Sequence, residues 1–116
     1  MIGKISGFMF HNNCENSSFE LFDQMLTHIE ERFGHLLKQV QWVSLGGGIH
    51  FTGEGYPLDA FCARLKAFAE RHGVQVYLEP GEAAITLSAS LEVTVLDTLY
   101  NGKHLAVVDS SIEAHM

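Results

Sequence analysis

Val40 to Ala69 reads VQWVSLGGGIHFTGEGYPLDAFCARLKAFA. Val40 to Leu45 is short and apolar and predicts a strand. Gly46 to Gly55 is a glycine-rich loop. Leu58, Phe61, Cys62, Leu65, Phe68 and Ala69 then recur at helical spacing. Gly73 supplies the stop, because glycine enters the left-handed terminal conformation without a Cβ penalty.

The same plan extends outward on both sides. Upstream, Ile5 to His11 (ISGFMFH) reads as a strand and Asn12 to Ser18 as a polar loop. Ser17 with Glu20 forms an S-x-x-E capping box. Phe19, Phe22, Met25, Leu26, Ile29 and Phe33 follow on one helical face, and Gly34 is the expected stop. Downstream, Val74 to Leu78 predicts a third strand ending at Glu79-Pro80-Gly81. Ser90 to Leu99 looks extended, Asn101-Gly102 is a hairpin signal, and Leu105 to Asp109 would return. No repeat or linker interrupts the chain. The order βαβαβ, then hairpin, predicts the α/β class, with parallel strands covered by helices.

Among the 116 residues, 7 Lys and Arg face 14 Asp and Glu, a formal charge of −7. That excess argues against binding nucleic-acid phosphates or anionic lipid. No apolar run approaches the ~18 residues of a membrane span, and the N-terminal stretch turns polar too early for a secretory signal. Cys14 and Cys62 form no CxxC and read as small apolar residues, so a reducing, cytoplasmic setting is expected. The Glu30-Glu31-Arg32 run reads as a solvated helix face.

In α/β folds, ligands sit beyond the carboxyl ends of parallel strands. Here those ends carry His11-Asn12-Asn13-Cys14, Gly46-Gly47-Gly48-Ile49-His50 and Glu79-Pro80-Gly81-Glu82. Three glycines leave backbone N–H groups open to a phosphate, or simply make a flexible turn. The loop is neither a Walker loop nor G-x-G-x-x-G. Pro80 keeps Glu79 out of helical geometry, which suits a strand-end catalytic acid or a solvated loop acid. His11 suits a core histidine, a metal ligand or a ring stacked on a flat cofactor, with His50 as a second possible ligand.

Taken together, FHNNCENSSFELF, SLGGGIHFTGEGYPLDAF and YLEPGEAAITLSASLEV resemble the fold-type-III pyridoxal-phosphate decarboxylases, which include the ornithine, diaminopimelate and arginine enzymes. FHNNCENSSFE and EPGEA point to the polyamine-biosynthesis branch. The resemblance covers nearly the whole chain. It implies a partial (β/α)8 barrel over residues 1–89, and over 90–116 strands leading into a truncated β-domain. It implies pyridoxal 5'-phosphate as cofactor and no metal. His11 would stack on the pyridine ring, Gly46, Gly47 and Gly48 would hold the phosphate with Gly81, and Glu79 would bond the pyridine nitrogen. The implied partners are a small-molecule polyamine substrate and a second copy, as a homodimer or another homo-oligomer.

Two positions depart from the family pattern. The serine of His-x-Gly-Ser is replaced in His11-Asn12-Asn13-Cys14. Glu82 stands where arginine usually follows Glu-Pro-Gly, and it would face the aminopropyl substrate. The resemblance places the lysine that holds the cofactor covalently upstream of this chain and a catalytic cysteine beyond it, so the chain alone is expected to be inert. Competing readings are another fold-type-III decarboxylase, a non-catalytic binding or assembly module, and a metal-dependent barrel enzyme using His11, His50 and Glu79.

Overall fold

The computed structural model describes Lys4 to Ser111. Met1 to Gly3 and Ile112 to Met116, the outer ends of the two expected regions, lie outside the described residues. The chain falls into two units, divided between Thr86 and Leu87.

The first unit runs β1 (Gly7–Met9), α1 (Phe19–Leu37), β2 (Trp42–Ser44), α2 (Leu58–His72), β3 (Gln75–Tyr77) and the single-turn α3 (Glu82–Ile85). Its sheet is parallel in the order β1-β2-β3, with Phe8 opposite Val43 and Val43 opposite Val76. The strands are shorter than the apolar runs that predict them. Their hydrogen bonding nevertheless continues past the strand ends, from Phe10 N to Ser44 O at 2.9 Å and from Leu45 N to Tyr77 O at 3.0 Å.

Strand alternation sorts the side chains onto two faces. Phe8, Phe10, Val43, Leu45, Val76 and Leu78 pack with the helices, against Phe22, Met25, Leu26, Ile29, Leu37, Phe61 and Phe68. The Phe22 and Phe61 rings meet at 4.7 Å and join α1 to α2. Among the described residues of this unit no helix packs on the opposite face, and there Met9 is 53% and Tyr77 52% exposed.

Several local expectations are corrected. Ser18, not Ser17, caps α1: its Oγ accepts from Leu21 N at 3.3 Å and donates to Glu20 at 2.8 Å. Asn16 Oδ1 takes the Ser18 N–H and sets that geometry. Gly34 does not stop α1, which continues to Leu37. A mid-helix glycine costs about 1 kcal/mol, whereas burying Leu37, which is fully covered, contributes about 1.5–3 kcal/mol.

On α2 the buried stripe is Phe61, Phe68 and His72 with Leu65 half-buried, while Leu58 and Cys62 are exposed. Gly73 closes α2 at φ +67°. Cys14 and Cys62 are free and exposed, not packed as small apolar residues. Glu30 is not part of a solvated face. Its side chain is 13% exposed and meets Arg64, Arg71 and His72 of α2.

The second unit holds β4 (Val95–Tyr100) and β5 (His104–Val108), paired antiparallel through a turn with Gly102 at φ +70°. No residue of either strand is fully buried.

Candidate functional site

Parallel strands bring their carboxyl ends to one edge of the sheet, and His11, the Gly46–Gly48 loop and Glu79 meet there. Alternation from Met9, Trp42 and Tyr77 puts His11, Ser44 and Glu79 on the helix-free face. A cavity of about 360 Å³ opens on it, lined by Trp42, Ser44, Tyr77, Leu78 and Glu79.

Glu79 is held at two points. Its N–H donates to Gly46 O at 2.9 Å. Its Oε1 accepts from Ser44 Oγ at 2.5 Å. Ser44 is 4% exposed, and its Oγ also accepts the Gly46 N–H at 3.2 Å.

Each glycine of the triplet packs against a different residue at the ends of the two flanking strands, Gly46 and Gly48 beyond β1 and Gly47 beyond β3. A Cβ on Gly46 would overlap the His11 imidazole at Nδ1, and one on Gly47 would overlap the Glu79 carbonyl oxygen. On Gly48 it would stand 2.5 Å from the Asn13 carbonyl oxygen. Gly46 and Gly48 also have φ of +70° and +76°, so a side chain there would be strained as well as crowded. The triplet is therefore required for packing, whatever it binds. Among the described residues the N–H groups of Gly47 and Gly48 donate to no protein acceptor, which leaves them open to an anion.

The loops around the site are tied together. Asn16 N bonds Gly48 O at 2.8 Å and His50 N bonds Asn16 O at 2.9 Å. Buried Asn13 accepts from Asn16 Nδ2 at 2.9 Å and reaches Met25 Sδ at 3.1 Å. Thr52 Oγ1 donates to Ala83 O at 3.0 Å, linking the β2–α2 loop to α3. Gly81 is exposed at the start of α3, with open space where a Cβ would sit. Glu82 pairs with His50 Nε2 at 3.2 Å, and its own side chain is 63% exposed.

The structure thus gathers His11, Gly46, Gly47, Gly48 and Glu79, places Gly81 two residues beyond, and joins Glu82 to His50. Among the described residues no group of three His, Cys, Asp or Glu side chains is placed to hold a metal ion, so His11, His50 and Glu79 do not form one. Sequence reading passed over Ser44 and Asn13. The available signal for Ser44 was a lone hydroxyl at the carboxyl end of an otherwise apolar strand, two residues before the glycines.

No family model matches the chain. Over 116 residues it is 59% identical to the carboxynorspermidine/carboxyspermidine decarboxylase of Herminiimonas arsenicoxydans, covering 100% of this chain and 32% of that protein. It is 41% identical over 115 residues to the protein of the same name from Campylobacter jejuni subsp. jejuni serotype O:6, covering 99% of this chain and 30% of that protein. The carboxyaminopropylagmatine decarboxylase of Synechocystis sp. is 37% identical over 114 residues, covering 97% of this chain and 29% of that protein. The crystal structure of carboxynorspermidine decarboxylase complexed with norspermidine from Campylobacter jejuni superposes with a TM-score of 0.76 at 42% identity. That match covers 96% of this chain and 30% of that one. The chain spans about a third of the length of the curated relatives it matches. Among the described residues no helix is long and apolar enough to cross a membrane.

Proposed function

We propose that this chain forms part of a pyridoxal-phosphate-dependent decarboxylase that acts on carboxynorspermidine or carboxyspermidine in polyamine biosynthesis. The observation that carries the reading is the Glu79 carboxylate. It is held by Ser44 at the strand edge where His11 and the glycine triplet also converge.

The residues fit the cofactor. His11 offers an exposed flat ring at one strand end, Glu79 an exposed carboxylate at another, and the loop between them two unengaged N–H groups. When bound, pyridoxal phosphate supplies the electron sink for the carbanion left by loss of CO2. Glu79 would set its carboxylate against the pyridine nitrogen and help to hold a proton there. His11 would cover one ring face. Gly47, Gly48 and Gly81 would hold the phosphate by backbone N–H groups, with Gly46, whose own N–H goes to Ser44 Oγ, shaping the loop, and that anchor would position the reacting carbon. Glu82 offers its exposed carboxylate to a substrate ammonium, in exchange for or alongside His50.

The finer fold reading is a segment of a (β/α)8 barrel, and the helix-free sheet face supports it. Met9, Trp42 and Tyr77 there are the side chains that further barrel strands would enclose. The β4–β5 pair, exposed except at half-buried Val108, belongs to a β-domain in this reading, since an isolated two-stranded hairpin is marginal in water. A cytoplasmic homodimer or other homo-oligomer completes the proposal.

Glu79→Gln in the intact enzyme tests it. The amide cannot hold the ring nitrogen protonated, so decarboxylation of carboxynorspermidine falls by at least about a hundredfold. Phosphate anchoring, read as cofactor affinity, changes little. Turnover at the parental rate would reject the assigned role.

A further inference from the structure

We infer that Ser44 is a positioning residue for this reaction, its hydroxyl fixing one oxygen of the Glu79 carboxylate so that the other remains directed at the ring nitrogen. The inference rests on the reading of Glu79 proposed above and adds a residue to it.

The geometry makes the hydroxyl directional. A serine hydroxyl has one proton and two acceptor sites. The Gly46 N–H enters Oγ at 3.2 Å and occupies an acceptor site, so the single proton is left for Glu79 Oε1 at 2.5 Å. The donor is also rigidly mounted. Ser44 is 4% exposed and lies on β2, the strand paired on both sides. Glu79, by contrast, is an exposed residue beyond the end of β3, with three side-chain torsions to restrain. Its backbone is set by the Gly46 carbonyl and by Pro80, and among the described residues Ser44 alone bonds its carboxylate and selects a rotamer. One loop residue, Gly46, therefore organises both ends of the pair: its carbonyl receives the Glu79 N–H and its N–H orients the Ser44 hydroxyl.

The test is a double-mutant cycle in the intact, cofactor-loaded enzyme, with Ser44→Ala, Glu79→Gln and both together. Ser44→Ala is expected to lower kcat by about tenfold to a hundredfold, the value of one hydrogen bond to a charged group, with KM changed by less than about threefold. Its bound-cofactor absorbance against pH is expected to shift in the same direction as that of Glu79→Gln. Ser44→Thr, which keeps the hydroxyl, restores the parental profile. In the Glu79→Gln background, Ser44→Ala should cost less than about twofold more. Equal losses in both backgrounds, or an unmoved absorbance profile, would overturn the inference and leave the role of Glu79 standing. Parental turnover by Glu79→Gln would overturn both.

Discussion

Glu30 of α1 accepts from Arg64 Nη2 of α2 at 2.7 Å, with the two side chains 13% and 17% exposed. Arg71 and His72 reach the other oxygen at 3.2 and 3.1 Å, and Asp23 takes Arg64 Nε. Burial works to raise the Glu30 pKa. The hydrogen bonds of Arg64 and His72 and the charges of Arg64 and Arg71 outweigh it, so the carboxyl is held below its ordinary 4.5. A carboxylate depressed by folding contributes stability above its unfolded value and loses it as pH falls through the folded one. Glu30→Gln is therefore expected to destabilise the chain by about 1–3 kcal/mol near neutral pH. The gap should narrow as pH falls below the ordinary 4.5 and on through the lowered folded value. Urea midpoints at neutral and acidic pH measure it, and a gap of equal size at both would remove the ion network as the cause.

Gly48 and Gly55 share a φ of +76°, yet only Gly48 is crowded, by the Asn13 carbonyl. Gly55→Ala has open space and meets the backbone cost alone, about 1–2 kcal/mol. Gly48→Ala adds a clash with rigid backbone, and roughly 2–4 kcal/mol is expected. Denaturation midpoints for the two variants separate dihedral strain from packing. Equal losses would mean that the loop yields freely at Asn13. Gly47→Val would strike the Glu79 carbonyl, so a fall in cofactor affinity from it would reflect Glu79 as well as the phosphate.

The parallel sheet and the convergence of His11, the glycines and Glu79 were legible in the sequence because they depend on local periodicity and on strand ends. What escaped depends on tertiary partners. Gly34 looks like a stop until Leu37 is seen in the core. Glu30 looks solvated because Arg64 is 34 residues away. Ser44 meets Glu79 across 35 residues, through a parallel register that no short window contains. Leu58 and Cys62 fit the helical period but fall beyond the width of the face that α2 buries.

Tyr56 stacks edge-on against Phe61 at 5.7 Å, while its buried hydroxyl finds no hydrogen-bond partner among the described residues. Burial, then the charge of Glu20, raises its pKa. Removing an unsatisfied buried hydroxyl while keeping the ring relieves a desolvation penalty. Tyr56→Phe is expected to be neutral or to stabilise by up to about 1 kcal/mol. Calorimetry checks this, and a clear destabilisation would show that the hydroxyl has a partner in solution, such as a bridging water.

The 116-residue chain by itself is expected to form no productive covalent attachment to the cofactor. Its lysines are Lys4, Lys38, Lys66 and Lys103. Lys4 precedes β1, and Lys38 caps the end of α1 before β2. Both therefore lie toward the amino ends of the strands, across the sheet from His11, the glycine loop and Glu79. Lys66 is on α2, 77% exposed and 3.9 Å from Glu70, on the helix side of the sheet. Lys103 belongs to the turn of the β4–β5 unit. A nucleophilic lysine has to stand within reach of the cofactor carbonyl, and none of the first three does. Exposed lysines still form adventitious imines, so colour does not discriminate. Borohydride trapping with peptide mapping, run beside a decarboxylation assay, does. Scattered substoichiometric label without CO2 release is expected. Stoichiometric label on one lysine with CO2 release would show that this lysine reaches the site, and would overturn this placement of the lysines.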